Sequence, residues 1–347
     1  MTHLYPSSKD ENWRFADIKS FCENGVAKFL NITKTEQNAS TVLDSIDFDF
    51  EALTTLTLDK NGLSGADDLD ISQGEFCGET SSALEALVAE NAKKAVLNLK
   101  ENSPKLLIKL DSSLSFSPSN LEINIAKSAD AEIFVLQETC AEAFVDFLLN
   151  VNLGESSKLK IVFINNTAKS SLLYTKAKFG FAQNSRLELF SKQEGQSPSR
   201  VEYHFDLAEK GAKLEATCFM ENHDKCLHNL NTYQMHKVGD TSSNLTLRNV
   251  LSNGAKATFA GFVKIEKDAQ CTSAKQSCKT LLLDKSAQIK ALPILEIEAN
   301  DVECAHGCAV SMPDEEQIFY LKARGLSETQ AKKLIAAGFV NFDRAFV

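Results

Sequence analysis

The sequence predicts a mainly β protein, with a mixed and partly helical segment before the strands and a helical hairpin after them. Three observations support this fold class. Short alternating runs of apolar and polar residues fill residues 96–310, several runs start on a small residue at a near-constant spacing, and helix-forming residues return at 311–347. We therefore divide the chain into three segments, residues 1–95, 96–310 and 311–347.

The first segment contains one clear helical pattern, at residues 81–97, which are rich in strong helix formers. Ser81 or Ser82 can cap this helix, because Glu85 follows Ser82 at the capping-box spacing. Asn91 interrupts the apolar face of this segment, but the other residues of the face keep the helical spacing. We therefore predict a helix over residues 81–97. The apolar residues of the face are Leu84, Leu87, Val88 and Ala95.

The middle segment contains many short runs with the length and the alternation of β-strands. Only two prolines, Pro198 and Pro293, occur between residues 119 and 310. No long helical pattern separates most of the runs. A parallel sheet with crossover helices is therefore disfavoured. The clearest runs are LLIKLD, LEINIA, AEIFVL, LKIVFI, LELFS, LEATCF, FVKIE and ILEIEA.

A weak internal repeat runs through the same segment. Small residues open four runs at successive steps of 26, 28 and 27 residues, and these are Ala131, Ser157, Ser185 and Ala212. Three further alanines continue the pattern at uneven steps, namely Ala255, Ala269 and Ala287. A period of this length predicts stacked units that bury their apolar faces against each other. Strand-only units of this kind form a β-solenoid, whose tight corners require small residues. A β-sandwich with coincidental spacing is the alternative.

The last segment predicts two helices joined by a short turn. The first lies between Ser311, a capping residue, and Gly325, a typical stop. The second lies between Ser327, which opens a capping box, and Gly338. Such a hairpin is too small to hold a core of its own, so it must dock on the β segment, on a partner, or on both.

Bulk composition excludes several classes of protein. The net charge of −10 argues against nucleic-acid binding, because neutralising phosphates requires clustered cations. The start of the chain lacks the pattern of a secretion signal, and no apolar run approaches the roughly 20 residues that span a bilayer. Nine cysteines occur without a Cys-x-x-Cys pair. We therefore expect a cytoplasmic protein with no membrane contact, whose thiols are free or bound to metal.

Motifs of common enzymes are absent from the sequence. No phosphate-binding loop, dinucleotide fingerprint, nucleophile elbow or His-Glu-x-x-His zinc motif occurs. We expect no ATP site in this chain and no conventional hydrolase or dehydrogenase site.

The densest group of candidate ligands lies in the sequence VECAHGCAV. Cys304, His306 and Cys308 are two residues apart, so on a regular strand all three side chains point to one face. Thiolates and an imidazole on one face can bind iron, zinc or the edge of a cluster. The alternative is buried thiols that pack as small apolar groups and a histidine held by one hydrogen bond. Gly307 could also break the strand and turn Cys308 away.

Other cysteines give weaker signals. The segment CFMENHDKCLH brings Cys218 and Cys226 near two histidines, but its spacing matches no common metal site and favours a loop. Cys271 and Cys278 lie in a strand and turn, where a core position is the simpler interpretation.

Several ordered blocks of the last hundred residues resemble the core family of the SUF system for iron–sulfur cluster assembly, which its B and D subunits share. The opening ENWRFAD at residues 11–17 resembles that of D-type subunits, with Ala16 where Thr is usual. After Cys-x-His-Gly the chain departs from the usual Ala-Thr-x-Gly, which leaves Cys308 as an extra thiol. The matching blocks contain Gly261, Leu281 to Leu283, Pro293 to Ile297, Cys304 to Gly307, and Phe319 to Gly325.

The resemblance implies a right-handed parallel β-helix that serves as a non-enzymatic scaffold subunit. Such a subunit pairs with a B-type subunit, or with itself when alone, and binds an ABC-type ATPase through its C-terminal helices. A transient iron ion or iron–sulfur cluster would form between a cysteine of the B-type subunit and the Cys-x-His region, with His306 and Cys304 as ligands from this chain. Whether a flavin binds is left open.

The ATPase contact would use exposed side chains of the helical hairpin, because aromatic and arginine side chains are the usual anchors of protein interfaces. The residues we expect in this role are Phe319, Tyr320, Arg324 and Leu334. The rival class is a β-helix carbohydrate-active enzyme, a lyase or a hydrolase, which would need paired carboxylates or a basic residue on one β face.

Overall fold

A computed structural model describes residues 48–75, 80 and 82–346. The chain is mainly β, with 57% of its residues in strands that form a parallel β-solenoid of about eight turns. The predicted parallel β-helix is therefore confirmed, and the sandwich alternative is wrong. Residues 11–17 and Ser81, which entered the sequence interpretation, lie outside the described residues.

The strands form two sheets, and the chain alternates between them. Sheet 1 contains, in spatial order, β2 (Gly62–Ser64), β1 (Thr54–Asp59), β5 (Leu106–Leu110), β7 (Asp130–Glu138), β9 (Lys158–Thr167), β11 (Arg186–Gly195), β13 (Lys213–Asn222), β15 (Ser242–Leu251), β17 (Thr272–Leu282) and β19 (Val302–Ser311). Sheet 2 contains, in spatial order, β3 (Asp70–Gly74), β4 (Lys94–Leu99), β6 (Phe116–Ile125), β8 (Phe144–Leu153), β10 (Leu172–Phe181), β12 (Ser199–Leu207), β14 (Leu227–His236), β16 (Lys256–Ile265) and β18 (Gln288–Ile297).

Each coil of the solenoid adds one strand to each sheet. From β4 onward every strand pairs in parallel with the strand two positions later in the chain, and paired residues are 26 to 32 positions apart. The inward side chains of each strand therefore stack on those of the next coil. Phenylalanines such as Phe163, Phe179 and Phe205 fill the space between the sheets and are almost fully buried. Burying such side chains stabilises the fold by about 1.5–3 kcal/mol each.

The corners of the coils carry the small residues that the repeat indicated, with one correction. Ser157, Ser185 and Ala212 are fully buried and directly precede strands of sheet 1. Their equivalent one coil earlier is Ala129, whereas Ala131 lies inside β7 and pairs with Leu159. Ala129 and Ala131 both stand near the start of the same run, so the spacing in the sequence does not distinguish them. Ala255 and Ala287 precede strands of sheet 2, so two sets of corners were merged into one uneven series.

Helix α1 (Ala83–Asn91) is shorter than predicted. Ser82 caps it, since its side chain accepts a hydrogen bond from the backbone of Glu85 at 3.3 Å. The prediction was wrong beyond Asn91, because the run KAVLNL alternates and forms β4 in sheet 2. Glu85 is buried under the helix and pairs with the buried Lys176 of β10, which fixes α1 on the outer face of that sheet.

The predicted C-terminal hairpin consists of α2 (Glu315–Ala323) and α3 (Glu328–Val340). Asp314 caps α2 instead of Ser311, because β19 extends through Ser311. Gly325 follows α2 in a left-handed conformation, as predicted, with φ of +94°. The capping box of Ser327 and Gln330 is also present.

Helix α3 continues through Gly338, where the sequence predicted its end. Glycine disfavours a helix interior by only about 1 kcal/mol, and the packing of Phe339 and Val340 on sheet 1 outweighs it. Arg248 of β15 donates a hydrogen bond to the carbonyl of Phe339 at 3.0 Å, and its guanidinium lies 5.5 Å from that ring. A 3-10 turn (Phe342–Phe346) follows and packs on the same face. The hairpin therefore docks on the β body through α3.

Two buried histidines predict how stability depends on pH. His228 and His236 are fully buried in β14, and the ring nitrogens of His236 lie 2.8 Å from the hydroxyls of Thr241 and Ser243. Burial lowers the pKa of His228 to about 3 and that of His236 to about 4. The unfolded chain takes up these protons below about pH 6.5, but the folded chain does not until pH 3–4.

We therefore expect stability to fall as the pH drops from 7 to 5, by about 2 kcal/mol per histidine. The measurement is the free energy of urea unfolding at both pH values. His236→Gln should remove one histidine's share of the difference. An unchanged difference in this variant would show that His236 does not carry the effect.

Candidate functional site

The two last strands form an open end of the solenoid. Among the described strands, β19 lies at one edge of sheet 1 and β18 at the corresponding edge of sheet 2, whereas β2 and β3 lie at the other end. Most residues of β19 are exposed, and so are the apolar side chains of Ile294, Ile297 and Val310. Ile297 and Val310 pair with the buried residues Ile265 and Thr280, but no further described coil covers them.

The register of β19 places the three candidate ligands on one face. Cys304, His306 and Cys308 pair with Ala274, Gln276 and Cys278 of β17, which are all buried and face the interior between the sheets. The three candidates therefore continue interior stacks at the open end. Gly307 does not break the strand, which runs unbroken from Val302 to Ser311.

The strand geometry limits what these side chains can bind by themselves. Residues two positions apart on a strand are about 6.6 Å apart, which is long for bonds of about 2.0–2.3 Å to one ion. In the described part of the chain no three His, Cys, Asp or Glu side chains are gathered around one point that could hold a metal ion. Additional ligands would have to come from outside the described residues.

Cys304 is half-buried and packs against a small apolar cluster that includes Ala274, Val263 and Ala299. Burial raises the pKa of its thiol, and the neighbouring Glu303 carboxylate adds to the effect. The thiolate form is therefore disfavoured at neutral pH in this setting. This environment suits a small apolar filler at least as well as a metal ligand.

Cys308 is exposed, and its pairing partner Cys278 is buried. The two side chains lie next to each other, and burial together with the charge of Cys308 raises the pKa of Cys278 to about 12. The core position predicted for Cys278 is confirmed. The contact between Cys278 and Cys308 was not predicted, because it depends on how β17 and β19 of successive coils are aligned.

The other cysteines proposed as candidate ligands lie in different environments of the structure. Cys226 lies at a corner with its sulfur 3.3 Å from Nε2 of His228, but Cys218 faces the core of β13. The loop interpretation was therefore wrong for His228, a fully buried strand residue. The core position predicted for Cys271 is also wrong, because this residue is exposed in a turn and contacts Asp301 at 3.2 Å.

The helical hairpin exposes a set of large side chains. Phe319 is 74% exposed, Tyr320 58% and Leu334 54%, whereas most other large apolar side chains of the described residues are buried. The guanidinium of Arg324, the residue that caps the end of α2, lies 5.3 Å from the Tyr320 ring, so the two side chains make a cation–π contact. No residue of α2 itself is buried. We call Phe319, Tyr320, Arg324 and Leu334 the hairpin patch.

Residues 108–339 match the family described as SUF system FeS cluster assembly, SufBD core domain. The chain belongs to the SufBD core family. Membership supports a role in iron–sulfur cluster assembly. Within the described part of the chain, no helix is both long and apolar enough to cross a membrane.

Curated relatives agree with this SufBD assignment. The chain is 34% identical to the iron–sulfur cluster assembly protein SufD of Escherichia coli over 108 residues, which are 31% of this chain and 26% of SufD. It is 26% identical to a SufBD family protein of Synechocystis over 255 residues, 68% of this chain and 51% of the relative. A SufBD family protein of Mycobacterium leprae is 33% identical over 106 residues, 30% of this chain and 12% of the relative. The chain spans about half the length of these relatives or less.

The SufBD motifs of the sequence converge on the open end. Gly261 lies in β16, Pro293 to Ile297 in β18, and Cys304 to Gly307 in β19. Gln276 was missed by the sequence analysis, although it pairs directly with His306. The signal that could have identified Gln276 is its separation from His306 along the chain, which equals the length of the local coil.

Proposed function

We propose that this chain is a non-enzymatic scaffold subunit of the SUF complex, which pairs with a B-type subunit and an ABC-type ATPase. The observation that carries the proposal is the family's Cys-x-His motif on the exposed terminal strand of the solenoid. A resident active site would be expected in a closed pocket, whereas this motif lies where a second protein can complete it.

His306 is the ligand that this chain offers to iron or to a nascent cluster, which we treat as the cargo of the complex. An imidazole is a suitable ligand for iron, and Cys304 lies two residues away on the same face. The B-type subunit supplies a thiolate from its own side. The exposed edges of β18 and β19 suit pairing with strands of a partner, because an edge strand presents unpaired backbone groups.

The ATPase binds the hairpin patch in this proposal. Exposed aromatic and arginine side chains are common anchors of protein interfaces, and α3 connects the patch firmly to β15. Closure of an ATPase pair would then pull on the β bodies through their hairpins and open the interface for cargo. The carbohydrate-enzyme alternative has no observation in its favour, and family membership argues against it.

Surface substitutions test the two interfaces separately. Phe319→Ala should weaken ATPase binding by about 2 kcal/mol, or roughly thirtyfold in affinity, and should leave binding of the B-type subunit unchanged. Ile294→Asp, at the open end, should weaken binding of the B-type subunit and leave ATPase binding unchanged. The measurement is the affinity of each purified variant for each partner.

Deleting the C-terminal hairpin would be a poorer test, because the deletion would also remove Val340, Phe342 and Ala345, which cover sheet 1. Equal binding of the ATPase by wild type and Phe319→Ala would place the contact elsewhere. If either variant loses binding to both partners, the two surfaces are not independent.

A further inference from the structure

Two cysteines at the open end are direct neighbours across the last pair of strands in sheet 1. Cys278 of β17 pairs in register with Cys308 of β19, and the two thiols interact through a side-chain hydrogen bond. Both cysteines are free thiols in this structure. Their sulfurs therefore lie within reach of each other.

The backbone geometry at this pair suits a disulfide bond. Neighbouring strands of a sheet lie about 4.8 Å apart, so direct register partners have Cα atoms at about this separation. Disulfides join residues whose Cα atoms are roughly 4.4–6.8 Å apart. Cys278 faces the core between the sheets, and its register partner Cys308 shares that face. The bond can therefore form without separating the two strands.

Among the cysteines that lie in the described strands, these two are the only register partners. Cys218 of β13 lies between Ser191 and Leu247 of the neighbouring strands. Cys304, although it belongs to β19, pairs with Ala274. The described strands therefore place two thiols side by side only at the open end of the solenoid.

The two thiols differ in their access to solvent. Cys278 is 1% exposed, whereas Cys308 is exposed on an edge strand. A dissolved oxidant therefore reaches Cys308 first. Cys308 is the extra thiol after the Cys-x-His-Gly motif, so the motif does not account for it. An exposed cysteine next to a second, resolving cysteine is the usual arrangement of a redox-sensitive site.

We propose that Cys308 and Cys278 form a reversible disulfide when the open end meets hydrogen peroxide. In the first step the Cys308 sulfur attacks peroxide, the O–O bond breaks, and the products are a sulfenic acid and water. In the second step the Cys278 sulfur attacks the Cys308 sulfur, the S–O bond breaks, and hydroxide leaves with the Cys278 proton as water. The two thiols have then lost two electrons and two protons, and one peroxide has become two waters.

The disulfide changes the open end in two ways. A disulfide sulfur is not a thiolate, so Cys308 no longer offers a ligand beside His306 and is protected from irreversible oxidation. The bond also links the edge strand β19 covalently to β17. A thiol reductant restores both cysteines. This inference goes beyond the proposed function and does not depend on it, because it requires neither iron nor a partner.

The test uses the full chain, purified in the reduced state without iron or partner. The chain is treated with hydrogen peroxide, alkylated and digested with trypsin, which releases Cys278 in residues 276–279 and Cys308 in residues 291–322. We expect most of these two peptides to appear as one cross-linked species that dithiothreitol separates. On a non-reducing gel the oxidised chain should remain a monomer.

Three variants assign the bond. Cys308→Ala, a change at an exposed position, should abolish the cross-link. Cys304→Ser is the matched control and should keep the cross-link at the wild-type level, because Cys304 lies in the same tryptic peptide but pairs with Ala274. Cys278→Ala removes the resolving thiol, so Cys308 should reach the sulfinic and sulfonic acids roughly tenfold more than in wild type.

Oxidation of Cys308 to the sulfonic acid in wild type, with residues 276–279 recovered as free thiol, would overturn the proposal. A cross-link that survives Cys308→Ala and disappears in Cys304→Ser would contradict it as well, since Cys304 would then be the partner of Cys278. The same holds for a cross-link found only in covalent dimers, which would join two chains. If Cys278→Ala does not fold, the comparison of Cys308→Ala with Cys304→Ser decides the question.

Discussion

Replacing His306 with alanine is expected to bring the iron and acid-labile sulfide of the co-expressed complex close to background. The side chain is exposed on the terminal strand, so its removal should change the free energy of unfolding by no more than about 0.5 kcal/mol. The loss of cargo would then come from the missing ligand and not from unfolding. Iron and sulfide per complex, together with a size-exclusion profile, measure this.

The neighbouring thiols provide the controls. Cys304→Ser should have a milder effect, because Cys304 is half-buried in an apolar cluster and the partner brings a thiolate of its own. Cys308→Ala should also be mild. If Cys304→Ser is the severe variant and His306→Ala is not, the chemistry belongs to the thiol and the assignment of His306 is wrong.

Glu202→Ala is expected to destabilise the fold by about 3–5 kcal/mol, a large part of the 5–15 kcal/mol that is typical of a folded domain. Arg200 and Glu202 are 1% and 3% exposed on the outer face of β12, and Nη2 of Arg200 lies 2.6 Å from Oε1 of Glu202. Burial by itself would raise the pKa of Glu202, but the charge of Arg200 holds it at about 2. Removing the carboxylate leaves a buried guanidinium without that counter-charge.

Urea unfolding of wild type, Glu202→Ala and the double variant Arg200→Met/Glu202→Leu measures this effect. The double variant should be closer to wild type, because it removes both charges. Since the folded pKa of Glu202 lies below the unfolded value of 4.5, its contribution is present above pH 4.5 and is lost as the pH falls toward 2. A double variant less stable than Glu202→Ala would contradict this account.

The solenoid was predictable because its two signals are local. Alternation within each run reports strands with one buried face, and the small residues Ser157, Ser185 and Ala212 report the corners. Local signals also explain the errors. Residues 94–97 contain good helix formers, but their pairing with β3 and β6 makes them a strand. Gly338 reads as a stop until the packing of Phe339 is known.

Most of the candidate site could be named but not assembled from the sequence. The motif predicts His306 and Cys304 as ligands, the residue types predict the hairpin patch, and both remain predictions. Gln276 and Gly261 could not be found in this way, because their relation to each other crosses the interior between two sheets. The ion pair of Glu85 and Lys176 was equally hidden, since these residues are 91 positions apart.

The stacking of the coils has a consequence for local opening. Each strand of the solenoid hydrogen-bonds only to the strands directly before and after it in its sheet, so stability is approximately a sum of nearest-neighbour terms. Among the described strands, β18 and β19 each have one such neighbour instead of two. Their backbone amides should open at a lower free energy than those of the central coils, and exchange their protons sooner. A protein that docks there supplies the missing neighbour, so ordering of the terminal coil and association with the partner become one coupled equilibrium.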